Sequence, residues 1–331
     1  MRLESIGVLG GGAWGTALAQ TQALAGRPAV LWARNGDAVA EINAARSNGA
    51  YLPGIALAPL LRATTGLAEA AALDILLLVA PAQQVRVVAR QLRPLVSPHQ
   101  TVVICAKGIE QHSGHLLGQV LGDELPGIPH AVLSGPGFAA DVARGLPAAL
   151  TLGCPDAQLG RALAERLSGP QFRLYWTSDT IGVLLGGSVK NVLGIAAGIV
   201  EGRQLGGSAH AALVTRGFAE LRRLGERMGA RPETLMGLSG LGDVILTCGS
   251  AQSRNMSLGR ALGQGERLAA ILAGRRAVTE GVYTAAAVAR LARQYAVEMP
   301  ICQAVAAILD GTTGVDPAIA ALLQRPLKAE D

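Results

Sequence analysis

The chain has 331 residues, half of them apolar, and a formal net charge of +5. Single cores stop growing near roughly 250 to 300 residues, so two domains are expected. Aromatic residues make up only 3% of the chain and the basic residues form no run. That disfavours a nucleic-acid surface of charges interleaved with stacking rings and leaves an anionic small molecule as the better-matched partner.

Met1 to Glu4 lead into a short apolar run that ends in glycines, without the long apolar stretch and cleavage site of a signal peptide, so no export is expected. Strands are predicted over residues 5–9, 29–32, 75–80, 101–105, 131–133 and 148–152, with helical patterns between most of them, as at 82–92. Repeated strand-helix units predict a parallel, doubly wound Rossmann-type sheet. Pro81, Pro94 and Pro98 fall at strand and helix ends, where a missing N–H costs least.

After the first strand stands Gly10-Gly11-Gly12-Ala13-Trp14-Gly15, followed by an apolar helical stretch over 16–25. This is G-x-G-x-x-G in the strand-to-helix context that dinucleotide binding requires. Gly10 makes the tight turn, Gly12 lets the backbone approach the pyrophosphate, and Gly15 lets helix pack on strand. The second strand ends in Trp32-Ala33-Arg34-Asn35, where an NAD-only enzyme would often place an acid. Arg34 can pair with a 2′-phosphate, which predicts that NADPH is accepted beside NADH.

From about Asp179 the texture becomes Ala-, Leu- and Gly-rich with helical periodicity. The expected division is a dinucleotide-binding domain over 1–178 and an all-helical substrate domain over 179–331. Residues 181–200 are nearly long and apolar enough to span a membrane, but Lys190 and Asn191 at the centre make insertion costly, roughly 3 kcal/mol for the charge. A buried helix lining an interdomain cleft is expected, with no stable membrane insertion.

Lysine is scarce: 26 arginines stand against Lys107, Lys190 and Lys328. Lys107 follows a predicted strand, at the carboxyl edge where ligands of open α/β sheets collect. Lys190 sits mid-helix among Gly186, Gly187 and Gly194, so that another backbone or a cofactor can approach it. A buried lysine has its charged form disfavoured and can exchange protons near neutral pH. Gln252-Ser253-Arg254-Asn255 adds donors suited to an anionic, oxygen-rich ligand, with Arg254 offering a planar fork for phosphate.

Cys105, Cys154, Cys248 and Cys302 show no Cys-x-x-Cys spacing, which argues against a zinc site and a disulfide framework and fits a reducing cytoplasm. No metal is expected, because His112 and His115 have helical spacing but no carboxylate or cysteine partner nearby in sequence. No histidine lies in the motifs, which disfavours a histidine-based hydroxyacid dehydrogenase.

Taken with Lys107-Gly108, Ser134-Gly135-Pro136, Gly187 to Asn191, Gly240-Leu241-Gly242-Asp243 and Val278-Thr279-Glu280-Gly281, these motifs make the chain resemble the bacterial NAD(P)-dependent glycerol-3-phosphate dehydrogenases over nearly its whole length. The resemblance implies reduction of dihydroxyacetone phosphate to sn-glycerol 3-phosphate for glycerophospholipid synthesis, with Lys190 as the proton-transferring group. It implies cofactor contacts from Ala13, Trp14, Arg34, Lys107, Ala139, Arg254, Val278 and Glu280. For the substrate it implies Lys107, Gly135, Gly137, Lys190, Asp243, Ser253, Arg254 and Asn255.

Two positions depart from the family pattern. Gly137 stands where the family usually carries Thr or Ser, so a side-chain hydroxyl is missing and its backbone N–H remains. Ala13 replaces a frequent Ser, a smaller matter where backbone groups hold the pyrophosphate. The competing readings are another two-domain reductase of ketopantoate type, against which the phosphate-suited Arg254 speaks, and a non-catalytic dinucleotide sensor, against which Lys107 and Lys190 speak. An apolar helical domain predicts a homodimer.

Overall fold

A computed structural model describes residues 3–275 and 277–326; Lys328 lies outside them. Eight strands form one sheet: β1 (Ile6–Leu9), β2 (Ala29–Trp32), β3 (Leu61–Thr64), β4 (Ile75–Leu78), β5 (Thr101–Ile104), β6 (His130–Ser134), β7 (Ala148–Gly153) and β8 (Phe172–Thr177). Their order is β3-β2-β1-β4-β5-β6-β7-β8. Strands β1, β4 and β5 are buried along their whole length, the pattern of a sheet covered on both faces. Because β1 pairs with both β2 and β4, the strand order reverses there and opens a crevice at the carboxyl ends.

The sheet is parallel, as expected, at every pairing but one. Strand β7 runs antiparallel to β6, with Ser134 opposite Thr151, and β8 is parallel to β7. The link between β6 and β7 holds only a five-residue helix, Ala139–Ala143. At about 1.5 Å per residue that is too short to carry the chain back along the sheet, so it returns antiparallel. Strands β3 and β8 were not among the predicted ones. In β3 the run is only Leu-Arg-Ala-Thr, and in β8, a sheet edge, Phe-Arg-Leu-Tyr-Trp-Thr shows no strict apolar–polar alternation.

Helix α1 (Ala13–Leu24) starts three residues before the predicted 16–25. The rest of the fold is helical: α2 (Thr180–Gly202), α3 (Gly206–Arg227), α4 (Asp243–Cys248), α5 (Arg254–Gly263), α6 (Glu280–Gln294) and α7 (Pro300–Leu309) are its main elements. Asp179 caps α2, its carboxylate accepting from Gly182 N at 2.8 Å and Arg231 N at 2.7 Å. The α2 helix, long and apolar enough by composition to cross a membrane, has a mean hydropathy of 1.7 over a window that is buried throughout.

What buries it is other helices. A Cβ at Gly198 would lie 2.0 Å from Met256 O, and one at Gly259 2.0 Å from Ile195 O, so α2 and α5 meet main chain to main chain. Helix α7 is fixed from a distance: the buried Glu220 of α3 accepts from Ile301 N at 2.7 Å and Cys302 N at 3.0 Å, capping its N-terminus.

Candidate active site

Gly10 has φ +135°, open to glycine and rarely to other residues, and a Cβ at Gly15 would sit 1.9 Å from Gly10 O. The turn therefore needs both glycines. Gly12 is the N-cap of α1 and supplies no side chain to its first turn, while a Cβ built on it would find nothing within 4 Å. An uncapped helix N-terminus facing open space fits a pyrophosphate. Asn48 braces the turn, donating to Gly11 O at 3.1 Å and Thr16 Oγ1 at 2.8 Å. Arg34 is exposed beyond β2, and Asn35 caps the next helix, Gly36–Ala45.

Across the crevice, side chains from three distant segments converge. Lys107 Nζ donates to Gly135 O and to Asp243 Oδ2, both at 2.7 Å, and Lys190 Nζ donates to Asp243 Oδ1. Asp243 is fully buried and opens α4 directly after a single π-turn, Leu238–Gly242. That turn lies tight on α2, since a Cβ at Gly186 would stand 2.3 Å from Ser239 O. The backbone that the α2 glycines admit is thus the one delivering Asp243.

Two ammonium groups share one carboxylate, which leaves an excess positive charge facing the cleft. Burial pushes the Lys190 pKa down to about 8, with Lys107 adding to the fall and Asp243 opposing it. The Trp14 ring, carried by the glycine-rich turn, lies 5.8 Å from Lys107 Nζ and joins the two halves of the site. A Cβ at Gly137 would lie 3.4 Å from that ring, ordinary contact, so packing does not demand glycine there. Ala139 begins the short helix beyond it.

The remaining wall comes from α5 and α6. Ser253 Oγ caps α5 by accepting from Met256 N at 3.2 Å. Arg254 is exposed at the rim and donates from Nη1 to Val278 O at 2.9 Å. Glu280 accepts from Ala82 N at 3.0 Å through Oε1, while its Oε2 is buried without a partner, as is Trp14 Nε1. Burial raises the Glu280 pKa, opposed by the Ala82 N–H and by Arg254. Buried polar atoms left without protein partners, one from the glycine-rich turn and one from the start of α6, fit a polar ligand.

The structure thus brings together Lys107, Gly135, Lys190 and Asp243 in direct contact, with Trp14 beside them. Among the described residues no hydrogen bond or ion pair joins Arg34 to this group. Asn255 is turned to protein partners, Asn191 Oδ1 at 2.8 Å and Gly281 N at 3.0 Å. Three participants escaped the sequence reading of single residues: Ala82, whose N–H meets Glu280; Ser134, whose buried Oγ would lie 2.3 Å from a Cβ at Gly187; and Asn191 as a linking group. For Asn191 a signal existed, an amide next to Lys190 inside an apolar helix.

Two family models match the chain, the NAD-dependent glycerol-3-phosphate dehydrogenase N-terminus over residues 5–160 and its C-terminus over residues 179–320. A glycerol-3-phosphate dehydrogenase (NAD(P)+) of Parvibaculum lavamentivorans is 57% identical over 327 residues, covering 99% of this chain and 98% of its own. One from Caulobacter vibrioides is 56% identical over 330 residues, covering 100% of both. The crystal structure of glycerol-3-phosphate dehydrogenase from Coxiella burnetii superposes with a TM-score of 0.93 at 39% identity, covering 97% of this chain and 99% of that one. With its glycine-rich turn facing a buried Lys-Asp-Lys cluster, the chain belongs to the NAD-dependent glycerol-3-phosphate dehydrogenase family.

Proposed function

We propose that the protein reversibly reduces dihydroxyacetone phosphate to sn-glycerol 3-phosphate with NADPH or NADH, supplying the glycerol backbone of glycerophospholipids. The observation that carries the reading is the meeting of Lys107 and Lys190 on Asp243, within reach of Trp14 from the dinucleotide turn. A dinucleotide held by its phosphates at that turn would supply the hydride in reduction and take it up in oxidation.

Residues 1–178 hold the dinucleotide in this reading, through Gly10, Gly12, Ala13, Trp14 and Gly15 at its phosphates and Arg34 at a 2′-phosphate. Lys107, Ala139, Arg254, Val278 and Glu280 complete that site. Residues 179–331 supply the substrate side. Lys190 donates the proton to the carbonyl oxygen as its carbon accepts hydride, leaving a neutral amine that takes the hydroxyl proton in the reverse direction. Its lowered pKa suits both tasks. Asp243 keeps the ammonium oriented, and Lys107 polarises the same oxygen. Ser253, Arg254 and Asn255 present the N-terminus of α5, a guanidinium and an amide hydrogen to the phosphate, and the backbone of Gly135 and Gly137 flanks the substrate.

The same reading takes the enzyme to be cytoplasmic and homodimeric. Leu205, Met236 and Ile245 of the helical part are exposed, 45%, 53% and 60% respectively, apolar surface that such a dimer would cover. Light scattering on the purified protein tests this, and a monomer at micromolar concentration refutes it. For the reaction, NADPH oxidation is measured with dihydroxyacetone phosphate beside ketopantoate. Preference for ketopantoate overturns the substrate assignment, and turnover of neither overturns the enzymatic one.

A further inference from the structure

The two walls of the cleft are tied by a chain of side-chain amides. Asn191 Nδ2 donates to Lys107 O at 3.3 Å and to Gly187 O at 3.4 Å, while its Oδ1 accepts from Asn255 Nδ2 at 2.8 Å. Asn255 Oδ1 in turn accepts from Gly281 N at 3.0 Å. A backbone N–H can only donate and a backbone carbonyl can only accept, so the two ends fix which way both carboxamides face. All donors then point toward Lys107, the arrangement in which successive hydrogen bonds polarise and strengthen one another.

Each link has a local reason. Helix α6 starts at Glu280 with no cap from the Thr279 side chain, so Asn255 satisfies a first-turn N–H from another helix. The fit there is close, a Cβ at Gly281 lying 2.6 Å from Asn255 Oδ1 and 2.7 Å from Asn191 O. Glu280, one residue earlier, reaches back to Ala82 N, and a Cβ at Gly108 would stand 2.5 Å from Ala82 Cβ. The ring therefore closes: Lys107 and Ala82 on the sheet side, Asn191, Asn255 and Glu280 on the helical side.

We infer that Asn191 is a positioning residue. Through Asn255 it ties the N-terminus of α6 to the Lys107 carbonyl and so sets the separation between the Glu280 wall and the Lys107–Asp243–Lys190 cluster. The inference rests on the dehydrogenase reading for its kinetic consequence and on hydrogen bonding alone for its structural one.

The test compares Asn191→Leu, Asn255→Leu and the double variant of the full-length protein. Asn191→Leu is expected to lower kcat roughly 10- to 100-fold, the cost of a small misplacement of reacting groups, with KM for dihydroxyacetone phosphate changed less than about threefold. Because one break opens the relay, the double variant should lose less than about twofold more kcat than the worse single variant. Amide exchange gives a readout apart from turnover: in Asn191→Leu the Gly281 amide, ninety positions away in sequence, should exchange faster. Asn191→Asp, of the same size, removes the donor to Lys107 O and serves if the leucine variant does not fold. Losses in kcat that multiply in the double variant, or unchanged Gly281 exchange, overturn the inference. A wild-type protein that does not reduce dihydroxyacetone phosphate yet shows the exchange coupling defeats the dehydrogenase reading and upholds the link.

Discussion

The dinucleotide turn and the lysine–aspartate cluster face one cleft but are assembled in opposite ways. The turn is six consecutive residues whose work is done by main chain, and its sequence demand is for absent side chains, at Gly10 and Gly15 above all. The cluster is built on side-chain termini brought from positions 107, 190 and 243, with separations of 136 and 53 residues within its two ion pairs, and among the described residues only Gly135 O joins it from the main chain. A site held by backbone tolerates side-chain exchange wherever geometry survives. A site held by side chains has no such reserve, and each group removed strands a buried partner.

The contrast is sharpest at Lys190. Lys190→Met should lower kcat by roughly 10² to 10⁴ for any substrate carried, the range expected for loss of a general acid or base. The wild-type pH profile tests the same assignment. Reduction needs the ammonium and should decline as pH rises through about 8, whereas oxidation needs the amine and should rise there. Lys190→Met should abolish both limbs. In the unfolded chain Lys190 returns toward its ordinary value near 10.5, so between about 8 and 10.5 the unfolded state binds a proton that the folded state does not. The Lys190 contribution to stability therefore increases with pH across that window, measurable as a smaller urea-midpoint gain in Lys190→Met.

Arg254 stands next, since in the proposed reading its charge meets the phosphate and not the reacting carbon. In Arg254→Ala the ratio of kcat/KM for dihydroxyacetone phosphate over dihydroxyacetone should collapse by about 10- to 100-fold, the worth of a charge-assisted hydrogen bond, while in Lys190→Met the ratio should hold. An unchanged ratio would give the phosphate to another residue. Arg34→Ala should raise KM for NADPH about tenfold and leave NADH nearly unaltered. Equal effects on both cofactors would remove Arg34 from the 2′-phosphate. Ala13→Ser should be the mildest, within about twofold in KM for either cofactor, because in the proposed reading the α1 N-terminus holds the pyrophosphate through N–H groups. A tenfold change there would break the backbone-against-side-chain contrast itself.

The same contrast explains what could be read from sequence. The glycine turn was legible because its residues are contiguous and their conformational reasons are local. Lys107 and Lys190 stood out through the scarcity of lysine. That both close on Asp243 was not visible in the residues themselves, because nothing near Asp243 marks a partner 136 positions away; family resemblance marked Asp243 only as a substrate contact. Asn255 was read as a substrate contact; that its amide also bonds Asn191 and Gly281 was not legible, because that arrangement is set by how α2, α5 and α6 cross. The antiparallel turn of β7 likewise depended on a connection length, and β3 on edge pairing too short to leave a periodic signal.

The burial of α2 has a consequence for how the chain comes off the ribosome. Its covering partners α5, α6 and α7, and the π-turn before α4, are all synthesised after it. At roughly 5 to 20 residues per second the new helix stays uncovered for several seconds, with an apolar surface that resembles a membrane span in length. The sheet strands that precede α2 can pair meanwhile, but the helices that cover it cannot close in order of synthesis. Nascent chains stalled near residue 235 should therefore be captured by holding chaperones or membrane vesicles, and the released full-length chain, in which α7 is free to pack, should not.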